Sequence, residues 1–177
     1  MGYNNDKVYT PNLDTLASSG ALLSQHYAMS QCTPTRVSLL TGRYPSRWGQ
    51  QAQQANNAQA FPHETLTMSS MLDELGYDTF MSGKWHLGSA PESGPLHHGF
   101  DSAHGSSTGA IGMYDHRYRP GNTWEINWHR DHQIIPGYEN GTHVTDLTTR
   151  EAIRFIQKQR HTPFFLYLPF HAPPHTT

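Results

Sequence analysis

A helix pattern, a glycine and a strand pattern follow one another at positions 65–82, and this order constrains the fold more than any other feature. Apolar residues at helical spacing predict a helix over 65–75 that Thr65 begins and Gly76 ends. Its apolar side comprises Leu66, Met68, Met71, Leu72 and Leu75. Residues 77–82 then predict a short strand. A helix followed by a strand is half of a parallel β-α-β unit, so the sequence predicts an α/β protein.

Two later segments support this fold class. Residues 144–160 carry the clearest amphipathic pattern of the chain, and Pro163 ends the predicted helix. Its apolar side comprises Leu147, Ala152, Ile153, Phe155 and Ile156. Residues 164–168, FFLYL, are an uninterrupted apolar run, which is typical of a parallel strand covered on both faces.

The first part of the chain carries shorter patterns. Thr10 is a suitable N-cap for a helix over 11–19, which Gly20 ends. Residues 21–29 predict a strand whose core-facing side chains are Leu23 and Tyr27. The composition at 48–62 changes to Gln, Asn and Ala, which predicts a surface loop.

Length and charge limit the classes of function. A chain of 177 residues can form one modest domain with a core of its own. Its net charge of −2 argues against a nucleic-acid partner. No apolar run approaches the roughly 18 residues of a membrane span. No charged and then apolar leader follows Met1, so no signal peptide is visible.

The run CTPTR at positions 32–36 contains the only cysteine of the chain. Thr33 is predicted to be the N-cap, and Pro34 the first residue, of a short helix over 34–41 that Gly42 closes. Cys32 is therefore expected at a helix N-terminus, where free backbone N–H groups favour negative charge. Arg36, about one turn further along, adds a permanent positive charge. The segment is suited to an anion.

Three interpretations of Cys32 stay open on the residues alone. An unpaired cysteine is often a small buried apolar residue. It can also be a thiolate nucleophile whose pKa is lowered by nearby positive charge. The third interpretation is a cysteine that is chemically converted, and it comes from a resemblance to a known family.

Three motifs resemble those of type I sulfatases and follow one another in that family's order. The first is Cys-x-Pro-x-Arg at 32–36, followed by x-x-Leu-x-Thr-Gly-Arg at 37–43. Another, GKWHLG at 83–88, lies downstream of the cysteine, and the remaining one, TPNLD at 10–14, lies upstream of it. The resemblance covers nearly the whole chain but only the front part of the family's domain.

The resemblance implies a role for each of five side chains. Cys32 would be converted to formylglycine by a formylglycine-generating enzyme, and Arg36 would steady the hydrate of that aldehyde. Lys84 would contact the substrate's sulfate, and His86 would hydrogen-bond the hydrate. Two residues apart in extended backbone, Lys84 and His86 would point the same way, roughly 6.5–7 Å from each other. His171, at the end of the FFLYL strand, would bind the sulfate, whereas His175 is interpreted as a tail residue.

The resemblance also implies a fold, a metal and a compartment. The fold would be a partial alkaline-phosphatase-like sandwich, a mostly parallel sheet flanked by helices and truncated at both ends. Residues 1–177 would be part of a sulfatase catalytic domain, without the first metal-binding strand and the C-terminal part. The cofactor would be a divalent metal, calcium, held by Cys32 as formylglycine and by ligands outside this chain. The family suggests a secretory, lysosomal or periplasmic location.

The function implied is hydrolysis of a sulfuric ester, of the arylsulfatase type, on a sulfated small molecule or sugar. The 177 residues alone are expected to be an inactive fragment, because metal ligands would be missing. Two alternatives stay open: a formylglycine-dependent hydrolase of phosphonate or phosphate esters, and a truncated product without catalysis.

The loop-rich tract at 97–136 offers candidate substrate contacts. Arg117, Arg119, Trp124 and Trp128 could meet an aromatic or sugar ester, and a packed surface loop is the alternative. Asn140 begins an Asn-Gly-Thr acceptor for N-glycosylation, which matters only in a secreted protein.

Overall fold

The computed structural model describes residues 1–118, 125–137, 139–158 and 160–172, apart from the side chain at position 3. The helices are α1 (Pro11–Ser19), α2 (Cys32–Thr41), α3 (Gln50–Gln53), α4 (Met68–Glu74) and α5 (Val144–Gln157). The strands are β1 (Asp78–Lys84), β2 (Ser102–Ser106), β3 (Arg117–Tyr118), β4 (Glu125–Ile126), β5 (Trp128–Arg130), β6 (Gln133–Ile134) and β7 (Phe164–Tyr167).

Five of these strands form one mixed sheet in the order β6-β5-β2-β1-β7. Strand β1 lies between β2 and β7 and is parallel to both. Strands β5 and β6 extend the sheet in antiparallel fashion beyond β2. The parallel centre flanked by helices confirms the predicted α/β class. Strands β3 and β4 form a separate two-stranded ladder.

Strands β1 and β2 approach each other most closely at a pair of glycines. Gly83 and Gly105 are opposite one another in the register, and both have a positive φ. A Cβ on Gly105 would lie 1.9 Å from the carbonyl oxygen of Gly83, and one on Gly83 would lie 2.2 Å from that of Pro169. Only glycine fits where three backbones meet in this way.

The main core lies between the sheet and the α2–α4 region. Its buried residues are Val37, Leu40, Ala52, Ala60, Phe61, Met81, Trp85, Leu87, Phe100 and Ala103. A second cluster, formed by Trp128, Val144 and Leu147, anchors the start of α5. Val37 and Leu40 thus place the inner side of α2 in the main core. Residues 48–62 are not a simple surface loop, because they include α3 and bury Ala52, Ala60 and Phe61.

Local signals predicted three helices correctly or nearly so. Helix α1 has the predicted bounds, with Thr10 as N-cap and Gly20 as C-cap. The helix predicted over 65–75 begins only at Met68, because Thr67 and Ser70 form a reciprocal capping box there. The helix predicted over 144–160 ends at Gln157, since Lys158 adopts extended backbone.

Several predictions that depended on distant partners are wrong. Residues 21–29 are not a strand, because they pair with none of the described strands, and Leu23 and Tyr27 are 72% and 86% exposed. Strand β7 is not fully covered on both faces, because Phe164 is 41% exposed. The predicted apolar sides are also partly exposed, at Leu66, Met71, Leu75, Ile153 and Ile156.

Candidate active site

Cys32 lies in the first turn of α2 and is half-buried, with a free thiol. The helix begins at Cys32, with Gln31 as N-cap, so the predicted cap at Thr33 is wrong. Thr33 is instead buried, and its hydroxyl donates a 3.1 Å hydrogen bond to the carbonyl oxygen of His86. Cys32 nevertheless lies where helix N–H groups lack partners within the helix, as the anion-site prediction requires.

Arg36 joins α2 to the ends of two strands. Its Nη1 atom donates to the carbonyl oxygen of Lys84, at the end of β1, and to the hydroxyl of Tyr167, 3.3 Å away, at the end of β7. Its Nε atom is buried and has no hydrogen-bond partner among the described residues. The guanidinium is therefore fixed on one side and open to a further acceptor.

Lys84 is the last residue of β1, and its ammonium group lies close enough to Cys32 for the two side chains to interact electrostatically. Burial lowers the pKa of Lys84 from its ordinary value of 10.5, the Cys32 thiol acts in the opposite direction, and Arg36 lowers it further. The backbone N–H of Lys84 donates to the carbonyl oxygen of Pro169 at 2.8 Å. The ammonium group is thus held beside the cysteine by β1 and by the segment after β7.

His86 follows the end of β1 in a left-handed conformation, with φ of 58°. The assumption that Lys84 and His86 share extended backbone is therefore wrong at His86. Its N–H donates to the carbonyl oxygen of Ser107 at 3.1 Å, and its Nδ1 atom is buried without a partner in the described part of the chain. Burial lowers the pKa of His86 to about 3, and the charges of Lys84 and Arg36 add to this effect.

His171 reaches the same place from the segment after β7. Both of its ring nitrogens are buried, and neither has a hydrogen-bond partner among the described residues. Burial lowers the pKa of His171 to about 3, and Lys84, Arg36 and His86 contribute to the shift in that order, followed by His116. The imidazole is therefore neutral at physiological pH and close to both cations.

The structure brings all five predicted side chains together, from α2, the end of β1 and the end of β7. Two cationic side chains, those of Arg36 and Lys84, lie close to the neutral imidazoles of His86 and His171. No carboxylate of the described residues contributes to the pKa shifts of Lys84, His86 or His171. Such a cluster favours an anion with several oxygen acceptors, because positive charge and unused donors converge on one point.

Sequence reasoning missed the residues that support this cluster. Tyr167 accepts from Arg36, and burial raises the pKa of its hydroxyl. Gly109 leaves room for the His86 ring, because a Cβ there would lie 2.3 Å from the ring atoms Cε1 and Nε2. A tyrosine at the end of the apolar FFLYL run was the one visible signal, since strand ends commonly carry site residues in α/β proteins.

A metal site is not formed by the described residues alone. They include no group of three or more His, Cys, Asp or Glu side chains that could hold a metal ion. Cys32 is surrounded by cations and neutral imidazoles, a set that does not suit a hard divalent cation. The described residues alone therefore do not support a metal-dependent step. Nor does any helix in the described ranges have the length and hydrophobicity needed to cross a membrane.

The candidate substrate contacts in the loop-rich tract fall into two groups. Trp128 is buried, and its Nε1 donates to His104 Nε2 at 3.2 Å, which favours the packed alternative. Arg117 is partly exposed and pairs with Asp115 at 3.2 Å. The candidates Arg119 and Trp124, and also His175, lie outside the described residues.

Comparison with known sequences points to one family. A protein-family model described as Sulfatase matches residues 1–176. N-acetylgalactosamine-6-sulfatase of Homo sapiens is 35% identical over 193 residues, which cover 94% of this chain and 36% of the human protein. Arylsulfatase J of Mus musculus is 33% identical over 179 residues, which cover 97% of this chain and 30% of the mouse protein. The chain thus spans about a third of the length of these relatives.

Solved structures agree with the sequence matches. The crystal structure of Ps i-CgsB in complex with k-i-k-neocarrahexaose has a TM-score of 0.84 at 32% identity, covering 99% of this chain and 42% of that one. A structure in complex with its substrate, D-glucosamine-2-N,6-O-disulfate, has a TM-score of 0.75 at 27% identity, covering 98% of this chain and 31% of that one. Both similarities extend over nearly the entire chain.

Proposed function

This chain belongs to the sulfatase family, and on that premise we propose that the protein is a sulfuric ester hydrolase. The observation that carries the proposal is the convergence of Arg36, Lys84, His86 and His171 on Cys32. Sulfate monoesters resist attack because their oxygens carry negative charge. A site with two cations, whose pKa shifts include no contribution from a carboxylate of the described residues, would lower that barrier by electrostatic stabilisation.

We propose a sulfated sugar as the substrate class, with other sulfated small molecules as the wider range. The relative of Homo sapiens is named for a sulfated N-acetylgalactosamine, and one similar structure contains a disulfated glucosamine. A sulfated sugar presents a compact anionic sulfate group on a polar carbohydrate. The cationic cluster would bind the anionic group, and the surrounding loops would contact the sugar.

Each side chain has a proposed part in the reaction. A formylglycine-generating enzyme would convert Cys32 to an aldehyde, which is hydrated to a geminal diol. One hydroxyl of the diol would attack sulfur and displace the alcohol of the ester, leaving a sulfated side chain. The second hydroxyl would then lose its proton, so that the aldehyde re-forms and sulfate is expelled. Lys84 and His171 would hold the sulfate oxygens. Arg36 would steady the converted side chain from the neighbouring turn of α2. His86 would accept a proton on its ring, because its lowered pKa leaves the imidazole neutral.

A divalent metal, calcium, would be the second cofactor of this proposal, held by Cys32 as formylglycine together with ligands from outside the described residues. The proposed location is a secretory, lysosomal or periplasmic compartment. Because the described residues do not form a metal site by themselves, the isolated 177-residue chain is expected to show little turnover. Calcium-dependent hydrolysis of an aryl sulfate by these residues alone would contradict that expectation.

The function is tested with the protein at its natural length, produced together with a formylglycine-generating enzyme. We expect hydrolysis of an aryl sulfate to exceed that of an aryl phosphonate and to vanish in Cys32→Ala. Mass spectrometry of the peptide that contains Cys32 should show an aldehyde in place of the thiol. Ser18→Ala, at an exposed position on α1, is the control and should retain activity. Preferred turnover of the phosphonate, or undiminished sulfate hydrolysis by Cys32→Ala, would overturn the proposal.

A further inference from the structure

His86 occupies a backbone conformation that must be held by its surroundings. A histidine at φ of 58° lies in the left-handed region, which side chains with a Cβ rarely adopt. Two hydrogen bonds fix this residue: its N–H donates to the carbonyl oxygen of Ser107, and its carbonyl oxygen accepts from Thr33. Its ring lies against Gly109. Residues 106–109, here termed the supporting loop, therefore determine where the imidazole points.

The supporting loop is held in turn by one side chain, that of Asn127. The Oδ1 atom of Asn127 accepts from the Ser106 hydroxyl at 2.5 Å, from the Thr108 N–H at 3.1 Å and from the Thr108 hydroxyl at 2.9 Å. Its Nδ2 atom donates to the Ser107 hydroxyl at 3.0 Å. One amide group thus contacts three consecutive residues, including the residue whose carbonyl receives the His86 N–H.

The backbone at Asn127 is held in place by the strand that follows it. It directly precedes β5, whose residue Trp128 pairs with Ser106 of β2, and Trp128 is fully buried. The supporting loop is bonded to β1 as well, because the Trp85 N–H donates to the carbonyl oxygen of Ser106 at 2.8 Å. A displacement of the loop would therefore be transmitted directly to residues 85 and 86.

We infer that Asn127 is a positioning residue, which acts on the reaction through the supporting loop by holding His86 in its left-handed conformation. The inference rests on the proposed function for the catalytic meaning of His86, although the positioning itself does not. Asn127 needs no contact with substrate for this role. Its loss should leave sulfate binding by Lys84 and His171 intact and should misplace the group that accepts the proton.

Two substitutions separate the hydrogen bonds of Asn127 from its volume. Asn127→Leu keeps a similar size and removes all four hydrogen bonds. We expect kcat to fall about 100-fold, the loss that a misplacement of about 1 Å produces, with KM little changed. Asn127→Asp keeps the acceptor oxygens for Ser106 and Thr108 and should recover most of kcat. If the leucine variant does not fold, Asn127→Ala serves as the second variant that removes these bonds.

A matched control and a readout independent of activity complete the test. Thr67→Ala removes another highly connected side chain, the cap of α4, and should lower stability without changing kcat. Amide hydrogen exchange of the peptide around residue 86 should accelerate in Asn127→Leu and not in Thr67→Ala. Unchanged exchange and unchanged kcat in Asn127→Leu, or a change in KM alone, would overturn the inference. If the unsubstituted protein hydrolyses no sulfate ester, the proposed function fails, while the exchange measurement still decides the inference.

Discussion

The hydroxyl of Thr33 donates a 3.1 Å hydrogen bond to the carbonyl oxygen of His86, and both residues are buried. This bond links the first turn of α2, next to Cys32, to the second residue after β1. The two parts of the site are 53 positions apart in the sequence but are connected by one interaction. The relative placement of Cys32 and His86 is therefore a property of the folded core.

Thr33→Val tests this connection with a side chain of the same shape. The substitution leaves the carbonyl of His86 without its donor, so we expect a loss of about 1 kcal/mol in the free energy of unfolding and a lower kcat. Urea denaturation and aryl sulfate kinetics measure the two effects. Thr15→Val, which removes an exposed hydroxyl on α1, should change neither quantity appreciably. Equal effects of the two substitutions would show that the bond is unimportant.

Gly109→Ala places a methyl group where the His86 ring lies. The added Cβ would meet two ring atoms at 2.3 Å, and the ring can turn away because it is the end of a side chain. We expect the fold to persist and kcat to fall about 100-fold, as for other displaced catalytic groups. Circular dichroism and kinetics distinguish these outcomes. Gly20→Ala, at a position with φ of −121°, is the control, and full activity of Gly109→Ala would contradict the placement of His86.

Lys84 should control the alkaline limit of activity. Its pKa is lowered from 10.5, mainly by burial, and conversion of Cys32 would remove the thiol that opposes this shift. Because the proposed contact with sulfate needs the charged form of Lys84, kcat/KM should decline at a pH below 10.5. Lys84→Arg retains its charge above pH 12, so its alkaline decline should move upward even if its overall rate is lower.

Two further substitutions complete the measurement at Lys84. Lys84→Met should lower kcat/KM about 100-fold or more, because a stabilising charge is lost. Lys7→Met, at an exposed lysine, should have no effect. A pH profile of Lys84→Arg that coincides with that of the unsubstituted protein would exclude Lys84 as the titrating group.

His98 should make the protein less stable in acid. It is buried against Trp85 and Phe61, and burial, with smaller contributions from His63 and His97, lowers its pKa to about 4. The unfolded chain, with a histidine pKa near 6.5, binds more protons than the folded state between these values. The free energy of unfolding must therefore decrease as the pH falls from about 6.5 to about 4.

His98→Phe removes this contribution and keeps an aromatic ring in the apolar site. The slope of unfolding free energy against pH should become shallower by up to about 1.4 kcal/mol per pH unit within that window. Urea unfolding at pH 7, 6 and 5 provides the measurement. His26→Phe, at an exposed position, should leave the slope as it is, and so should His98→Phe if His98 is protonated in the folded protein.

The parts of the fold that sequence predicts well are those with local causes. Pro11 and Gly20 delimit α1 because capping preferences act within a few residues. The α/β class follows from the order of helix, glycine and strand before Lys84. The strand predicted over 21–29 is wrong, because a strand forms only where another strand pairs with it. The sequence pattern of a segment does not show whether such a partner is present.

The candidate site shows the same division. Cys32, Arg36, Lys84, His86 and His171 were selected by motif, and the structure brings them together. Their mutual geometry could not be derived, because Thr33 bonds to a carbonyl far away in sequence instead of capping its own helix. The left-handed backbone of His86 depends on Ser107 and Asn127, which no local pattern near position 86 indicates.

The paired glycines at positions 83 and 105 have a consequence for how such a protein can diversify. Beneath the anion-binding cluster, main chain packs on main chain, so that level offers no side chain for mutation to enlarge, shrink or recharge. Changes that adapt such a protein to a new ester are therefore expected at exposed loop positions, such as Tyr114 and Ile134, and not at this level of the core. Catalysis and substrate preference would in this sense depend on different parts of the structure, the first on the packed strand ends and the second on the exposed loops.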